Sequence, residues 1–329
     1  MIYQIKKRLR SVANKSKHIN RIYKSSNRLK VILCSLMSDE VYSKLKYHED
    51  TGLKLNLDNP ITFNEKIWWL KLNNRDPLLT TCSDKVEVRK YIIEKGLEDI
   101  LIPIYGVFED ANDIDFEKLK TKYFIKTNHG SGTNAIWDPQ NPFNRSLFTK
   151  KFNRALRENY YLQSREWNYK NIKPKIVIEE VLEDNNGIGL VDYKFMCFEG
   201  KVKLVFSEIG IASNTGEHNP YSKRNVHDAN FDLLDMEFGR ENFDSNLIEK
   251  PSNFEAMIKY AEILAEPFPH CRVDLYNING KVYFGEMTFY HGGGTQRCKP
   301  ELWEKVIGDW INLKSDRIIL KEQSLDVKK

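Results

Sequence analysis

The sequence predicts an α+β protein built on antiparallel hairpins, and three observations lead to that class. Asn279-Gly280 and Glu199-Gly200 each join two runs with a strand's alternation. A glycine-rich loop, Thr127-Asn-His-Gly-Ser-Gly-Thr133, separates a further pair of strand-like runs. Thr62-Phe-Asn-Glu65 and Ser252-Asn-Phe-Glu255 read as capping boxes that open helices.

The composition permits a sizeable core. With 329 residues and 41% hydrophobic content, the chain can fill one large or two modest domains. No apolar run approaches the ~18 residues that span a bilayer; the best is the broken Val31–Met37, and no secretory pattern opens the chain, so a cytoplasmic location is expected. Five scattered cysteines (Cys34, Cys82, Cys197, Cys271, Cys298) without CxxC spacing support neither a disulfide framework nor a zinc site. The net charge of +5 belongs to the N-terminus, because residues 1–30 hold ten Lys and Arg and no acid, whereas acids outnumber bases in the rest. In that tail Ile2, Ile5, Leu9 and Val12 recur at helical spacing among Lys6, Lys7, Arg8 and Arg10, which suits a short helix peripheral to an anionic membrane surface. Nucleic acid is not expected as a partner, since the tail lacks aromatic interleaving and the body is acidic. A solvated, frayed tail is the plain alternative.

In chain order, Leu33–Tyr47 reads as a helix, and Thr62 opens the next through Ile67, Trp68, Trp69 and Leu70, with the tryptophans assigned to the core. Ser83 is expected to cap Asp84–Lys95, which Gly96 ends. Lys85 then falls in a positive first turn, where it either points to solvent or is held by an anion. Ile100–Val107 and Lys122–Lys126 have strand length, and the glycine loop leads to a strand at Asn134–Trp137. Gly130 and Gly132 let backbone N–H groups approach phosphate oxygens, Ser131 and Thr133 add hydroxyls, and Lys126 can neutralise phosphate charge. The loop is neither a Walker loop nor a dinucleotide fingerprint, and a plain hairpin turn is the competing reading. Thr149–Tyr161 is helical. Ile176–Glu183 is a buried strand running into the paired acids Glu179-Glu180, which suits a hinge meeting an adenine edge and equally a solvated strand end. Asp192–Phe206 forms the second hairpin, and Gly210–Asn230 a long loop holding His218 and His227 at the surface. Ser252 opens a helix to Ala265, and Glu301–Leu313 closes the fold.

Arg272–Gly294 holds two carboxylates, Asp274 and Glu286, one on each strand of the Asn279-Gly280 hairpin. A two-residue loop, Asn279-Gly280, would pair Asp274 with Gly285 and Glu286 with Val273 and send the acids to different faces. A three-residue loop, Ile278-Asn279-Gly280, pairs Asp274 with Phe284 and Arg272 with Glu286 and puts all of them on one face; this register is expected. Two such carboxylates beside an arginine can hold Mg2+ and the phosphate oxygens it bridges, whereas an ordinary edge hairpin would leave them solvated.

The order of these features, together with the phrases TFNEKIWWLKL, SDKVEVRKYI, FIKTNHGSG, DYKFMCFEGK and RVDLYNINGKVYFGEMTFYHGGG, resembles the TupA-like ATP-grasp family of bacterial surface-polysaccharide clusters over roughly residues 50–312. The resemblance implies an ATP-grasp fold, two α+β lobes with the nucleotide between antiparallel sheets. It divides the chain into the basic tail (1–34), a helical and glycine-loop lobe (35–182) and a second lobe with the metal hairpin (183–329). It implies phosphate binding by Lys85 and Lys126, a flexible loop at His129, Gly130, Ser131 and Gly132, and an adenine hinge at Glu179, Glu180 and Leu182. It sets Asp192 and Lys194 near the ribose or phosphates, Arg272 on the transferred phosphate, and Asp274 and Glu286 on magnesium. Many members have Asn two residues after the second acid. Thr288 stands there in this chain, so a hydroxyl or a water would supply that ligand.

The implied activity is ATP-dependent ligation of a carboxylate to an amine through an acyl phosphate, with Arg272 and Lys126 as catalytic cations and ATP and Mg2+ as cofactors. The implied substrates are a sugar acid or polysaccharide precursor and an amino acid, joined as an amide of a uronic acid. A kinase on the same fold, a polysaccharide glycosyltransferase and a non-catalytic assembly protein are the alternatives, in that order.

Overall fold

The computed structural model describes residues 36–321 except 185, 186, 212, 214 and 218. The basic tail, Cys34, the first residues of the Leu33–Tyr47 helix and His218 therefore lie outside the described residues.

Eight α-helices, eleven strands and several 3-10 turns are described. Helix α1 (Asp39–Thr51) starts where the Ser38 hydroxyl accepts from the Val41 N–H, and α2 (Phe63–Asn73) carries the capping box expected at Thr62 and Glu65. The next helix differs from expectation. Ser83 ends α3 (Pro77–Ser83), and α4 (Val88–Glu94) begins only after a turn. The Ser83 hydroxyl donates to the Leu79 carbonyl, while Asp84 accepts from the Val86 and Glu87 N–H groups and so braces the turn between the two helices; Glu87, at the cap position of α4, makes no capping bond. Helix α5 (Arg145–Ala155) starts before its expected Thr149, because Asn144 accepts from Leu147 N–H, and it stops before the short α6 (Tyr161–Ser164).

Four antiparallel strands form one sheet in the order β1 (Ile104–Phe108), β4 (Ile176–Glu180), β2 (Tyr123–Thr127), β3 (Asn134–Trp137). Its core is aromatic: Phe116, Trp137, Phe148 and Phe152 pack together behind Ile125, Ile176 and Ile178. The second sheet has five strands in the order β10 (Lys281–Thr288), β9 (His270–Ile278), β5 (Asp192–Phe198), β6 (Lys201–Ile209), β7 (Lys223–Asp228). β8 (Glu237–Phe238) and β11 (Cys298–Lys299) form a short ribbon beside it. Helices before β1 share the core of this larger sheet, so that Phe63, Ile67, Leu79 and Ile92 pack in one cluster with Phe195, Phe206, Val273 and Met287.

Strand β7 corrects the reading of Gly210–Asn230 as one long loop. Its six residues pair with β6, and His227 is buried rather than on the surface, with Nε2 2.9 Å from the Ser207 hydroxyl. Helix α7 (Phe254–Ala265) forms, but without the capping box at Ser252: Asn253 occupies the cap position and makes no capping bond. Its amide is spent elsewhere, donating to the Gly280 carbonyl at 2.7 Å and accepting from Asn277, so the helix start braces the hairpin turn. Helix α8 (Leu302–Asp309) is shorter than expected. Cys82, Cys197, Cys271 and Cys298 are buried free thiols.

Candidate active site

The β9–β10 hairpin turns through two residues, not three, with Asn279 at φ 53° and Gly280 at φ 81°. Positive φ at both central residues gives a type I′ turn, whose twist matches the strands it joins, and this outweighs the longer loop. The pairing therefore starts at Ile278 with Lys281. A bulge between Phe284 and Glu286 then absorbs Gly285, and Glu286 comes opposite Asp274, with Thr288 opposite Arg272. Both acids share one face, for a reason other than the expected register. Glycine suits this position: a Cβ would sit 3.1 Å from the Tyr276 ring and 3.2 Å from the Asp274 carbonyl oxygen, closer than an ordinary contact.

The period of two makes this sheet two-faced. Val273, Leu275, Phe195, Cys197 and Val205 face helix α7, while Arg272, Asp274, Asp192, Lys194 and Glu208 lie on the other side. On that side the charges form a continuous network. Arg272 donates from Nε to Asp274 Oδ1 at 2.6 Å and from Nη2 to Asp274 Oδ2 at 2.7 Å, then reaches Glu286 Oε1 at 3.2 Å and the Thr288 hydroxyl at 3.0 Å. Its Nη1 faces His291 Nδ1 at 2.8 Å. Lys194 donates to Asp274 Oδ2 at 2.7 Å and to Asp192, with Glu208 3.9 Å away. Its ammonium is thus spent on carboxylates and positions Asp274. Behind it, Glu208 is held by Arg224 and by Arg240 at 3.1 Å. Burial alone would raise the Asp274 carboxyl, but Arg272 and then Lys194 hold it below its usual range. Asp192 goes the other way, pushed up by burial and, despite Lys194, by Asp274 and Glu208. Its Oδ1 is buried without a partner.

The glycine loop meets this hairpin through Lys85. That side chain donates to the Gly130 carbonyl at 2.9 Å and lies 3.7 Å from Glu286 Oε2, so an anion does compensate it. Burial lowers its pKa, with Glu286 opposing. Lys126, at the end of β2, donates to Glu179 on β4 at 2.6 Å, and both are almost fully buried. Glu180 is exposed, its backbone N–H bound to the Pro103 carbonyl, and Leu182 lies half-buried just beyond β4. Ser131 and Gly132 are exposed at the loop tip, with Gly132 at φ 89°. His129 turns away from them: Nε2 lies 3.1 Å from the Ala155 carbonyl, which anchors the loop to the end of α5. Lys85 thus brings the glycine loop to Glu286 and, through it, to Arg272, Asp274 and Thr288, while Glu180 is exposed.

Sequence reasoning missed two groups of charged residues. Glu208, Arg224 and His291 form the back of the network, and Lys223–Asp228, with Val226 as its one apolar residue, carries no alternation that would have flagged Arg224. Lys71 and Glu166 are both buried. Burial lowers the pKa of Lys71, and burial together with Glu286 raises that of Glu166. They come from α2 and from the segment between α6 and β4, and no spacing in the sequence connects them.

For magnesium, the donor set is two oxygen anions directly opposite each other on neighbouring strands, converging on one guanidinium nitrogen. Glu286 is the more open of the two. Mg2+ is commonly held by one or two carboxylates plus substrate phosphates, so this pair fits, with Thr288 as the neutral oxygen beside it. Among the described residues no group of three or more His, Cys, Asp or Glu side chains could hold a metal ion alone.

Residues 65–312 match the family described as TupA-like ATPgrasp. A search among curated proteins returned no match. Solved structures similar to this chain include D-alanine–D-alanine ligase from Bacillus anthracis complexed with ATP, at 16% identity and TM-score 0.36, covering 72% of this chain and 65% of that one. Another is the L-amino acid ligase from Bacillus licheniformis, at 13% identity and TM-score 0.40, covering 65% and 44%. A third is the biotin carboxylase domain of 2-oxoglutarate carboxylase from Hydrogenobacter thermophilus in complex with MgADP, at 13% identity and TM-score 0.39, covering 66% and 42%. The chain thus spans less than two thirds of the length of each of these three.

Proposed function

The chain belongs to the TupA-like ATP-grasp family, and from that premise we propose that it is an ATP-dependent ligase joining a carboxylate to an amine. The observation that carries the reading is Lys85, which links the Gly130 carbonyl to Glu286 and so joins the glycine loop to the carboxylate hairpin. ATP lies between the two sheets. Lys85 and Lys126 neutralise its phosphates, the N–H groups of His129–Gly132 close over them, and Glu179, Glu180 and Leu182 take the adenine. The unpartnered Oδ1 of Asp192 accepts from a ribose hydroxyl. Asp274 and Glu286, with Thr288, hold Mg2+, which when bound screens the β- and γ-phosphates.

Arg272 faces the γ-phosphoryl group as it passes to the substrate carboxylate, and its bidentate bond to Asp274 fixes its direction before ATP arrives. Closure of the loop keeps water from the acyl phosphate. An amine then displaces phosphate and leaves an amide. The acid is a uronic acid of a surface polysaccharide precursor and the amine an amino acid. Work on a lipid-linked precursor gives the basic segment 1–30 its role at an anionic membrane face. No helix among the described residues is long and apolar enough to cross a membrane.

The test is an assay of ADP, free phosphate and product mass with ATP, Mg2+ and a panel of uronic acids and amino acids. ADP and phosphate in equal amounts, dependent on both an acid and an amine, are expected. A stable phosphoester would replace the ligase by a kinase, and binding of a nucleotide sugar without ATP turnover would replace it by a glycosyltransferase.

A further inference from the structure

Beside the glycine loop, residues 160–169 form a wall that no part of the proposed ATP site uses. The Tyr160 ring lies 3.3 Å from where a Cβ on Gly130 would stand, and it meets the Tyr169 ring edge-on at 5.1 Å. Asn168 donates to the Ser83 hydroxyl at 2.6 Å, which ties the wall to the end of α3 just before Lys85. On its other side Lys71 donates to the Ser164 carbonyl at 3.3 Å and to the Gly293 carbonyl at 2.7 Å, with Trp68 beneath its ammonium.

Glu166 sits inside this wall, 7% exposed. Among the described residues its carboxylate has neither a hydrogen bond nor an ion pair within 4 Å, although its backbone N–H donates to the Ser164 hydroxyl at 3.1 Å. A buried carboxylate without a partner is costly, and such groups are paired in nearly all folded proteins. The groups that face it electrostatically come from every neighbouring element: Lys71 of α2, Arg272 and Glu286 of the hairpin, and the phenols of Tyr160, Tyr169 and Tyr290. Lys71 is already committed to two carbonyls. The Glu166 oxygens are therefore left to solvent or to a ligand, within electrostatic reach of Lys71, Glu286 and Arg272.

We propose that Glu166 is the subsite for the amine substrate: it receives a primary ammonium group and takes one proton from it, so that the nitrogen can attack the acyl phosphate. This rests on the ligase reading. The ammonium gives one proton to the Glu166 carboxylate, which later releases it to solvent. The freed lone pair forms the C–N bond, the C–O bond to phosphate breaks with its electron pair on oxygen, and the second N–H proton leaves with the phosphate. A cation suits an unpaired acid among aromatic rings, whereas a sugar carboxylate would be repelled by Glu166 and Glu286 together.

Hydroxylamine tests this, because it is already neutral at assay pH and captures an acyl phosphate as a hydroxamate without needing a base. Wild type, Glu166→Gln and Glu166→Asp are assayed with ATP, Mg2+ and the uronic-acid panel, with either hydroxylamine or the amino acids. In Glu166→Gln the ratio of amide to hydroxamate formation is expected to fall about 100-fold, the usual weight of a general base, and Glu166→Asp should recover part of it. An unchanged ratio in Glu166→Gln, whether both rates hold or fall together, overturns the inference. Absence of both products in wild type overturns the ligase reading and this inference with it.

Discussion

The two sheets hold their buried cations in opposite ways. On the four-stranded sheet Lys126 has, among the described residues, one acidic partner, Glu179, contributed by the adjacent strand. On the five-stranded sheet Arg272 and Lys194 share Asp274, and the network continues through Asp192, Glu208 and Arg224 and across to Glu286 and Thr288. A lone pair can be exchanged for a ligand by moving one side chain. A network with shared partners fixes each member's direction, and losing one leaves several charges uncompensated in a low-dielectric site. The small sheet is thus the adaptable half of the cleft and the large sheet the rigid half.

The largest effect should come from breaking the rigid half. Asp274→Asn leaves Arg272 and Lys194 without their shared anion. ADP formation is expected to fall about 1,000-fold, and urea unfolding should show a loss of about 3 kcal/mol. Glu286→Gln in the same hairpin should cost comparable activity but under about 1 kcal/mol of stability, because that side chain is partly solvated. If the two variants unfold alike, the distinction between a buried and an open carboxylate is wrong. A smaller effect is expected on the adaptable half: Lys126→Met should raise the Kd for ATP about 10- to 100-fold, as the loss of one charge-assisted contact does. Adding Glu179→Gln should restore stability without restoring binding, which calorimetry separates.

The smallest effect concerns two neutral imidazoles beside Arg272. Burial lowers the pKa of His270 from 6.5 to about 4, and burial with Arg272 takes His291 well below its ordinary value. A histidine whose folded pKa is depressed binds its proton more readily when unfolded, so its contribution to stability is full above pH 6.5 and declines as pH falls toward 4. The stability gap between wild type and His270→Asn should therefore shrink by about 2 kcal/mol between pH 7 and pH 5. A gap that does not move would mean that His270 titrates alike in the folded and the unfolded chain.

Much of this arrangement was legible in residues whose signal is local. Thr62 and Glu65 form their capping box, the glycine loop joins two strands, and Asn279-Gly280 turns a hairpin, because each depends on a few neighbours along the chain. What was not legible depends on partners far away in sequence. Ser252 and Glu255 have the same pattern as Thr62 and Glu65, yet Asn253 is held by Asn277 and Gly280 and becomes the cap position. Lys194 looks like a phosphate lysine until β9 and β6 bring Asp274 and Glu208 to it. Glu166 is one acid in a polar stretch, and only the approach of α2 and the hairpin isolates it.

The bulge also gives β10 an uneven tolerance to changes in length. Gly285 is the extra residue between two cross-strand pairs, so removing it would leave Phe284 opposite Leu275 and Glu286 opposite Asp274. Removing any residue between Val282 and Phe284 would instead turn the following side chains over, carrying Phe284 to the charged face unless the bulge closed to compensate. Gly285 is thus the position in this strand where the chain can shorten and still present both carboxylates on one face.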